Sequence, residues 1–518
     1  MIRSKSKSNV IKLVLILLLA ITIYLACDLR FPLQPKYDTP EAQAFLASTD
    51  PQDLNDLYEE IRLDYLVSRQ YNATITARSI RAPEYLAYGT LTFDLSRKTY
   101  IQRLREFTLE YFQHAPERIR DSLGRSIDFH PGQYSVSRRG RNREGLPHKI
   151  WSTTPKGFEG VQDMFRLWST LLPLPLSRKL LDHLGGTDPV YLRPAVEGAH
   201  WEVTVPDDDG VDRLMSQWTG ESTRRGIKGE GQWENLWGSL PLGVLRADVF
   251  RYMSMLIEGG IYADSDTAPM VHPYLWGVEA TSALHPDLEA ILPYITKSPL
   301  DPGTHAQSPR GYLPPYGSRS RSHPSNPFTI LHPEISLVVA IEWDSHIVRK
   351  PNNPLQWRWY RFTRSLNNCC YARNLQFAQH LLMAKPFHPV FLDVLQMISS
   401  MADKNKDDLE AIGALDLTGP GPFTDAVLRY LLVQYGVTPT DLRNLRGPTR
   451  IGDVLILGEE SLLVGDRPWA KFIKHVQRFL TSFKIENERD PWFWGIGYWS
   501  WKSGGRVYAR HGLVGSWK

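Results

Sequence analysis

The sequence predicts a layered α/β domain behind an N-terminal apolar segment, on three observations. Strand and helix candidates alternate between residues 147 and 258. The clearest helical pattern ends at a double glycine, and a short apolar run after it closes on two aspartates. At 518 residues the chain has material for one large domain or two ordinary ones. Its composition is that of a globular protein, 42% hydrophobic and 22% charged. A formal charge of +4 over this length gives no electrostatic case for nucleic acid as a partner. The sixteen Trp suit sugar-facing or membrane-proximal surfaces without establishing either.

In chain order, residues 1–9 are a short basic tail, with Arg3, Lys5 and Lys7. Lys12 then sits near the start of a nearly uninterrupted apolar run, residues 10–27, of about 18 residues or about 27 Å as a helix. That length matches the thinner bilayers of the early secretory pathway, about 27 Å. The basic flank predicts N-in, C-out, with the body of the protein lumenal. A cleaved signal peptide is the competing reading, but no small-x-small cleavage site follows. The three cysteines, Cys27, Cys369 and Cys370, give no disulfide framework. Asn72 opens the one sequon, Asn72-Ala73-Thr74, a glycosylation acceptor if that region is lumenal.

Residues 28–145 are expected to form a stem. Residues 50–66 have near-helical apolar spacing, and 118–143, rich in Arg, Gly and Ser, read as a connection. The folded body is expected over 146–518. Residues 147–152 and 200–205 are strand candidates, 207–209 an acidic turn and 211–218 a helix. Residues 240–258 carry Leu245, Val249, Tyr252, Met253 and Leu256 on one face, and Gly259-Gly260 ends the helix. Residues 299–327 read as an inserted loop, and 374–383 and 390–399 as helices.

The chemistry concentrates in residues 246–267, RADVFRYMSMLIEGGIYADSDT. Asp248 and Arg251 stand at i and i+3, so they share a helix face and can grip one hydroxylated ligand. Gly259 and Gly260 permit a tight turn and close backbone approach. Residues 261–263 form a short buried strand ending in Asp264-Ser265-Asp266. Where a strand end bends, two such carboxylates can face one cleft and attract a hard divalent cation, Mg²⁺ or Mn²⁺. That ion bridges phosphate oxygens and neutralises charge on a departing nucleoside diphosphate. A D-x-D alone is more often a solvated turn; the joint register of helix, double glycine, strand and carboxylates is what carries weight. A phosphatase of the haloacid dehalogenase type fails on spacing, because Thr267 follows Asp266 one residue too early.

This segment resembles the signature of the fungal initiation-specific α-1,6-mannosyltransferase family, within the DXD sugar-binding glycosyltransferases, and is similar to the core of clostridial glucosylating toxins. Four further stretches agree in order: LPHKIWSTTPKG (146–157), QFAQHLLMAKPFHPVF (376–391), LTGPGPFTDAV (417–427) and HGLVGSWK (511–518). The resemblance implies a GT-A fold, in which a Rossmann-like nucleotide-binding sheet flanked by helices carries the D-x-D at a strand end. It also implies a single N-terminal transmembrane anchor with a lumenal Golgi catalytic domain. Asp264 and Asp266 would hold Mn²⁺ (or Mg²⁺), with His511 as third protein ligand and Asp264 also able to reach the ribose. Asp248 and Arg251 would grip the donor sugar. Trp151 would stack on the base or belong to the core. Asp425 would lie near the acceptor or cap a helix, and Gln376 and His380 would pack.

One departure from the family pattern is AIEWDS (340–345), which keeps Glu342 and Asp344 but sets Trp343 between them. The expected partners are GDP-mannose, a glycan acceptor, the membrane, and other mannosyltransferases in a hetero-oligomer. The expected reaction is retaining mannosyl transfer to an N-linked glycan. Transfer to a sphingolipid or O-glycan, and a non-catalytic role in a mannan-elongating complex, are the alternatives.

Overall fold

The computed structural model describes residues 36–68 (38 excepted), 96–127, 146–175, 198, 200–223, 229–240, 243–277, 280–295, 335–344, 371–404, 412–464 (444 and 446 excepted) and 509–511. The apolar run at 10–27, Asn72 and the loop at 299–327 lie outside these residues. Among the described residues no helix is long and apolar enough to cross a membrane.

Four helices come first: α1 (Pro40–Ser48), α2 (Pro51–Ser68), α3 (Arg97–Tyr111) and α4 (Glu117–Ile127). Thr39 and Ser96 cap α1 and α3, each accepting a backbone N–H with its hydroxyl oxygen. These helices correct the stem expected over residues 28–145. Leu54, Tyr58, Leu104, Phe107, Phe112 and Leu123 are buried in the same core as the body. The Tyr58 hydroxyl donates to Gln434 O (2.9 Å), Arg62 Nη1 to Leu432 O (3.1 Å) and Arg103 Nη2 to Asp393 Oδ1 (2.6 Å). The start of the stretch taken for a connection is α4, where Ile119, Leu123 and Ile127, four apart, bury one face under an Arg-rich surface.

The body follows: β1 (Lys149–Trp151), α5 (Arg166–Leu171), β2 (Glu202–Thr204), α6 (Asp208–Thr219), α7 (Gln232–Ser239), α8 (Gly243–Ile257), β3 (Gly260–Ala263), β4 (Thr267–Pro269), β5 (Thr281–Ser282), α9 (Pro286–Ile295), β6 (Leu337–Asp344), β7 (Leu375–Phe377), β8 (Leu381–Ala384), α10 (Pro389–Lys404), α11 (Ala414–Leu417), α12 (Pro420–Tyr435), β9 (Thr449–Ile451), β10 (Val454–Leu457), β11 (Leu462–Val464) and β12 (Ala509–His511). The main sheet has the order β2-β1-β3-β8-β6-β10-β9-β5, with β7 also on β6. β2, β1 and β3 run parallel, and β8 is antiparallel to both β3 and β6. A small sheet, β11-β12-β4, stands beside it.

Alternate residues of β3 enter different cores. Tyr262 packs with the larger one, on α8, α10 and α12, while Ile261 and Ala263 pack with the smaller, on α5 and β4. The sheet is thus covered on both faces, as its parallel strands require, and the mixed α/β architecture accords with a GT-A glycosyltransferase. The helix expected over 374–383 is corrected: the segment forms β7 and β8. All four residues of β8 are buried between β3 and β6. A strand buried on both faces loses its alternation and reads as a plain apolar run. Helices α2, α6, α8 and α10 stand where spacing put them.

Candidate active site

Because β1, β2 and β3 are parallel, their C-terminal ends share one rim, where open α/β sheets bind ligands. At the end of β3 the chain turns through Asp264-Ser265-Asp266 into β4. The Thr267 N–H and hydroxyl both donate to Asp264 O (2.9 and 2.8 Å), closing the turn. Gln162 N–H holds it from one side through Ser265 O (3.1 Å), and Asp264 N–H ties it to His380 O (2.9 Å) on the other. Trp168 Nε1 donates to the Thr267 hydroxyl beneath (3.3 Å).

Arg251, on α8, joins two carboxylates across this rim. Its Nη1 meets Asp248 Oδ1 at 2.9 Å and its Nη2 donates to Asp264 Oδ1 at 2.8 Å. The guanidinium lies over the Tyr262 ring, 4.7 Å from its centroid. Asp248 and Arg251 are buried, whereas the Asp264 side chain is 27% exposed. Asp264 is therefore the member of this chain that a ligand reaches. Burial pushes the Asp248 carboxyl up to about 7, against Arg251 and the hydroxyl of Thr418, which donates to Asp248 Oδ2 at 2.9 Å. Burial disfavours the Arg251 charge, yet Asp264, Tyr262 and Asp248 around it hold it protonated.

The double glycine is needed, though not for ligand approach. Gly259 and Gly260 have φ of 64° and 94°. A Cβ on Gly260 would stand 2.4 Å from Lys149 O in β1, and one on Gly259 2.7 Å from Ala384 O in β8. Their close approach is to neighbouring strands, which corrects their expected donor contact. Trp151 is likewise corrected: it lies in the core, edge-on to Trp218 and Phe250 with centroids 6.0 and 6.3 Å away. Asp425 is buried and bidentate with Arg373, at 2.9 and 2.6 Å, so its carboxylate serves a core ion pair instead of an acceptor. β12 pairs antiparallel with β4 in a register that sets His511 opposite Thr267. This brings the C-terminal backbone beside the D-x-D turn, while the His511 side chain lies outside the described residues.

Three contributors escaped sequence reasoning. The Tyr252 hydroxyl lies 2.6 Å from Gln379 Oε1 and donates there, with the carbonyls of Thr418 and Gly419 at 3.0 and 3.1 Å. Thr418 supports Asp248 directly. Within LTGPGPFTDAV it is this threonine hydroxyl, ahead of the glycines, that makes the contact. Gln379 carried no signal, since it sits in the loop between two strands read as one helix.

Beyond the ends of β1 and β2 opens a cavity of about 510 Å³, lined by Gly157, Val205, Pro206, Asp207, Arg213 and Gln217. Since β1 lies between β2 and β3, the strands bearing cavity and D-x-D stand about 10 Å apart. That span suits a ligand with a base at one end and a pyrophosphate at the other. Among the described residues no group of three or more His, Cys, Asp or Glu could hold a metal ion.

A strand-end rim with two aspartates on one turn and a cavity beside it is an arrangement glycosyltransferases use, and comparison with known proteins points to that class. Residues 208–283 match the family described as the glycosyltransferase sugar-binding region containing a DXD motif. The chain is 28% identical over 321 residues to the initiation-specific α-1,6-mannosyltransferase of Schizosaccharomyces pombe, covering 61% of this chain and 55% of that protein. It is 25% identical over 272 residues to HOC1 of Saccharomyces cerevisiae, named as a glycosyltransferase (48% and 52% covered). To the Candida albicans initiation-specific α-1,6-mannosyltransferase it is 23% identical over 291 residues (54% and 55%). The chain spans about half the length of the curated relatives it matches. No solved structure matches it. The chain thus carries the DXD sugar-binding region of glycosyltransferases and is a relative of the initiation-specific α-1,6-mannosyltransferases.

Proposed function

We propose that this protein is a retaining α-1,6-mannosyltransferase that moves mannose from GDP-mannose to an N-linked glycan, anchored in the Golgi membrane by residues 10–27 with its body in the lumen. Its partners in this reading are the donor, the glycan, the membrane and other mannosyltransferases. The observation that carries the proposal is the Asp248–Arg251–Asp264 chain at the rim of β3. Its buried end, Asp248, anchors the guanidinium, and its open end, Asp264, belongs to the D-x-D turn. The cavity past β1 and β2, with Asp207 and Arg213, supports a nucleoside end for the donor on the same rim.

Two carboxylates on one turn, Asp264 partly open and Asp266 buried, support a divalent cation in this reading. Asp264 and Asp266 supply hard carboxylate oxygens on one turn, Asp264 is open to solvent, and Mg²⁺ or Mn²⁺ completes such sites with phosphate oxygens and water. When bound, the ion supplies neutralising charge for the leaving diphosphate. Asp264 and Asp266 would hold it, with His511 as candidate third ligand on the strength of its register beside Thr267. Asp264 is the carboxylate open to the donor, while Asp248, buried between Arg251 and Thr418, holds the guanidinium that fixes Asp264 and adds positive charge. In a front-face displacement the acceptor oxygen bonds to the anomeric carbon as that carbon's bond to phosphate oxygen breaks. The electron pair leaves with the nucleoside diphosphate, and the hydroxyl proton passes to one of its phosphate oxygens.

Removing one such electrostatic contact costs about 10²–10³ in turnover. Asp266→Ala in the full-length protein is therefore expected to lose at least that much Mn²⁺-supported transfer from GDP-mannose to oligomannose, with an unchanged unfolding midpoint. Wild-type turnover in that variant removes Asp266 from the site.

A further inference from the structure

We infer that Glu342 positions the acceptor sugar, accepting a hydrogen bond from one of its hydroxyls on the side of the D-x-D turn away from the nucleoside cavity. This rests on the glycosyltransferase reading above and adds an acceptor-side residue to it.

β6 pairs with β8 at its start and with β7 at its end, so residues 378–380, which join β7 to β8, lie beside the middle of β6. Ala378 N–H donates to Ala340 O at 2.9 Å and fixes that placement. The same three-residue segment meets the donor-side residues on its other flank: His380 O takes the Asp264 N–H, and Gln379 Oε1 takes the Tyr252 hydroxyl. Across it, His380 Nδ1 stands 4.0 Å from Glu342 Oε1. Asp264, His380 and Glu342 therefore follow one another along the rim β3-β8-β6, opposite in direction to the cavity at β1 and β2. An acceptor attacking a sugar held at Asp264 and the D-x-D turn is flanked by this side of the rim.

Glu342 is also built to receive a ligand. Seven of the eight residues of β6 are buried, and Glu342 is the exception, its side chain 23% exposed. Its Oε2 accepts from Gln376 Nε2 at 2.8 Å. The Gln376 amide is itself fixed, since its Oε1 accepts the N–H groups of Ala372 (2.7 Å) and Arg373 (3.3 Å). An oriented, partly open carboxylate on a rigid strand is a strong acceptor for sugar hydroxyls and is held in place before the ligand arrives. Glu342 takes no proton in the transfer; it aims the hydroxyl-bearing ring.

The test uses full-length protein with GDP-mannose, an oligomannose acceptor and Mn²⁺, measuring donor KM, acceptor KM and the ratio of transfer to donor hydrolysis. Glu342→Gln is expected to raise acceptor KM or lower the transfer-to-hydrolysis ratio by about 10- to 100-fold, with donor KM within about twofold. Glu342→Asp, which restores the carboxylate, should recover part of that loss. Unchanged acceptor KM and ratio, or donor and acceptor parameters failing together in both variants, overturns the inference. A wild-type protein that neither transfers nor hydrolyses overturns the mannosyltransferase reading itself, and this inference with it.

Discussion

Burial sets the chemistry of Asp248. A carboxyl at about 7 in the fold and 3.8 in the open chain binds its proton more tightly when folded. Its contribution to stability is therefore full below pH 3.8 and lost as pH rises through 7. Asp248→Asn cannot ionise and escapes that loss. Relative to wild type the variant should gain up to about 1.4 kcal/mol per pH unit between pH 4 and 7, then level off. Urea denaturation at four pH values measures it, and a difference independent of pH contradicts the assignment. At this scale the sequence was informative where one residue does one job. That Asp248, Arg251 and Asp264 meet was legible because helix spacing and the strand end fix their neighbours. Trp151 and Asp425 were not, because composition cannot tell whether an aromatic ring or a carboxylate has found a partner inside the protein. Arg373, which claims Asp425, lies about fifty residues away in the chain.

At the scale of elements, the join between α8 and β3 decides where the aspartates end up. Gly259 and Gly260 were visible as a turn. What the sequence could not show was how tightly β1 and β8 press on them, since that depends on strand order. Gly260→Ala combines a positive φ with a backbone clash and should cost at least about 2 kcal/mol. It should also weaken donor binding, because β3 carries the D-x-D turn. Chemical denaturation reads the first effect and calorimetry the second; a variant as stable as wild type would mean the strands are not held as described. The strands β7 and β8 were hidden for a different reason. Full burial removes the alternation that marks a strand, so Gln376 and His380 looked like neighbours on a helix. They meet instead through Glu342.

Over the whole molecule, the N-terminal helices are part of the folded unit. α2 and α3 reach α10 and α12 with buried side chains, and Arg103 shares the fully buried Asp393 with Arg429. Truncation to residues 128–518 strips this cover from the larger core and leaves Asp393 with one partner fewer. Such a protein should aggregate on expression, whereas residues 30–518 should remain monodisperse by size exclusion. A soluble, active 128–518 fragment would restore the stem. The basic, Gly-rich surface of this region suggested a linker because periodicity there is short and polar residues outnumber apolar ones. The packing that overrides this impression comes from residues some three hundred positions further on.

In the proposed function the turn at Asp264–Asp266 holds a cation against the diphosphate of an activated sugar. Calorimetric titration of GDP-mannose into the full-length protein, with Mn²⁺ and with EDTA, tests it most directly. Binding is expected to require Mn²⁺ and to weaken at least about tenfold in Asp266→Ala. Equal affinity with and without metal, or in wild type and variant, would contradict it.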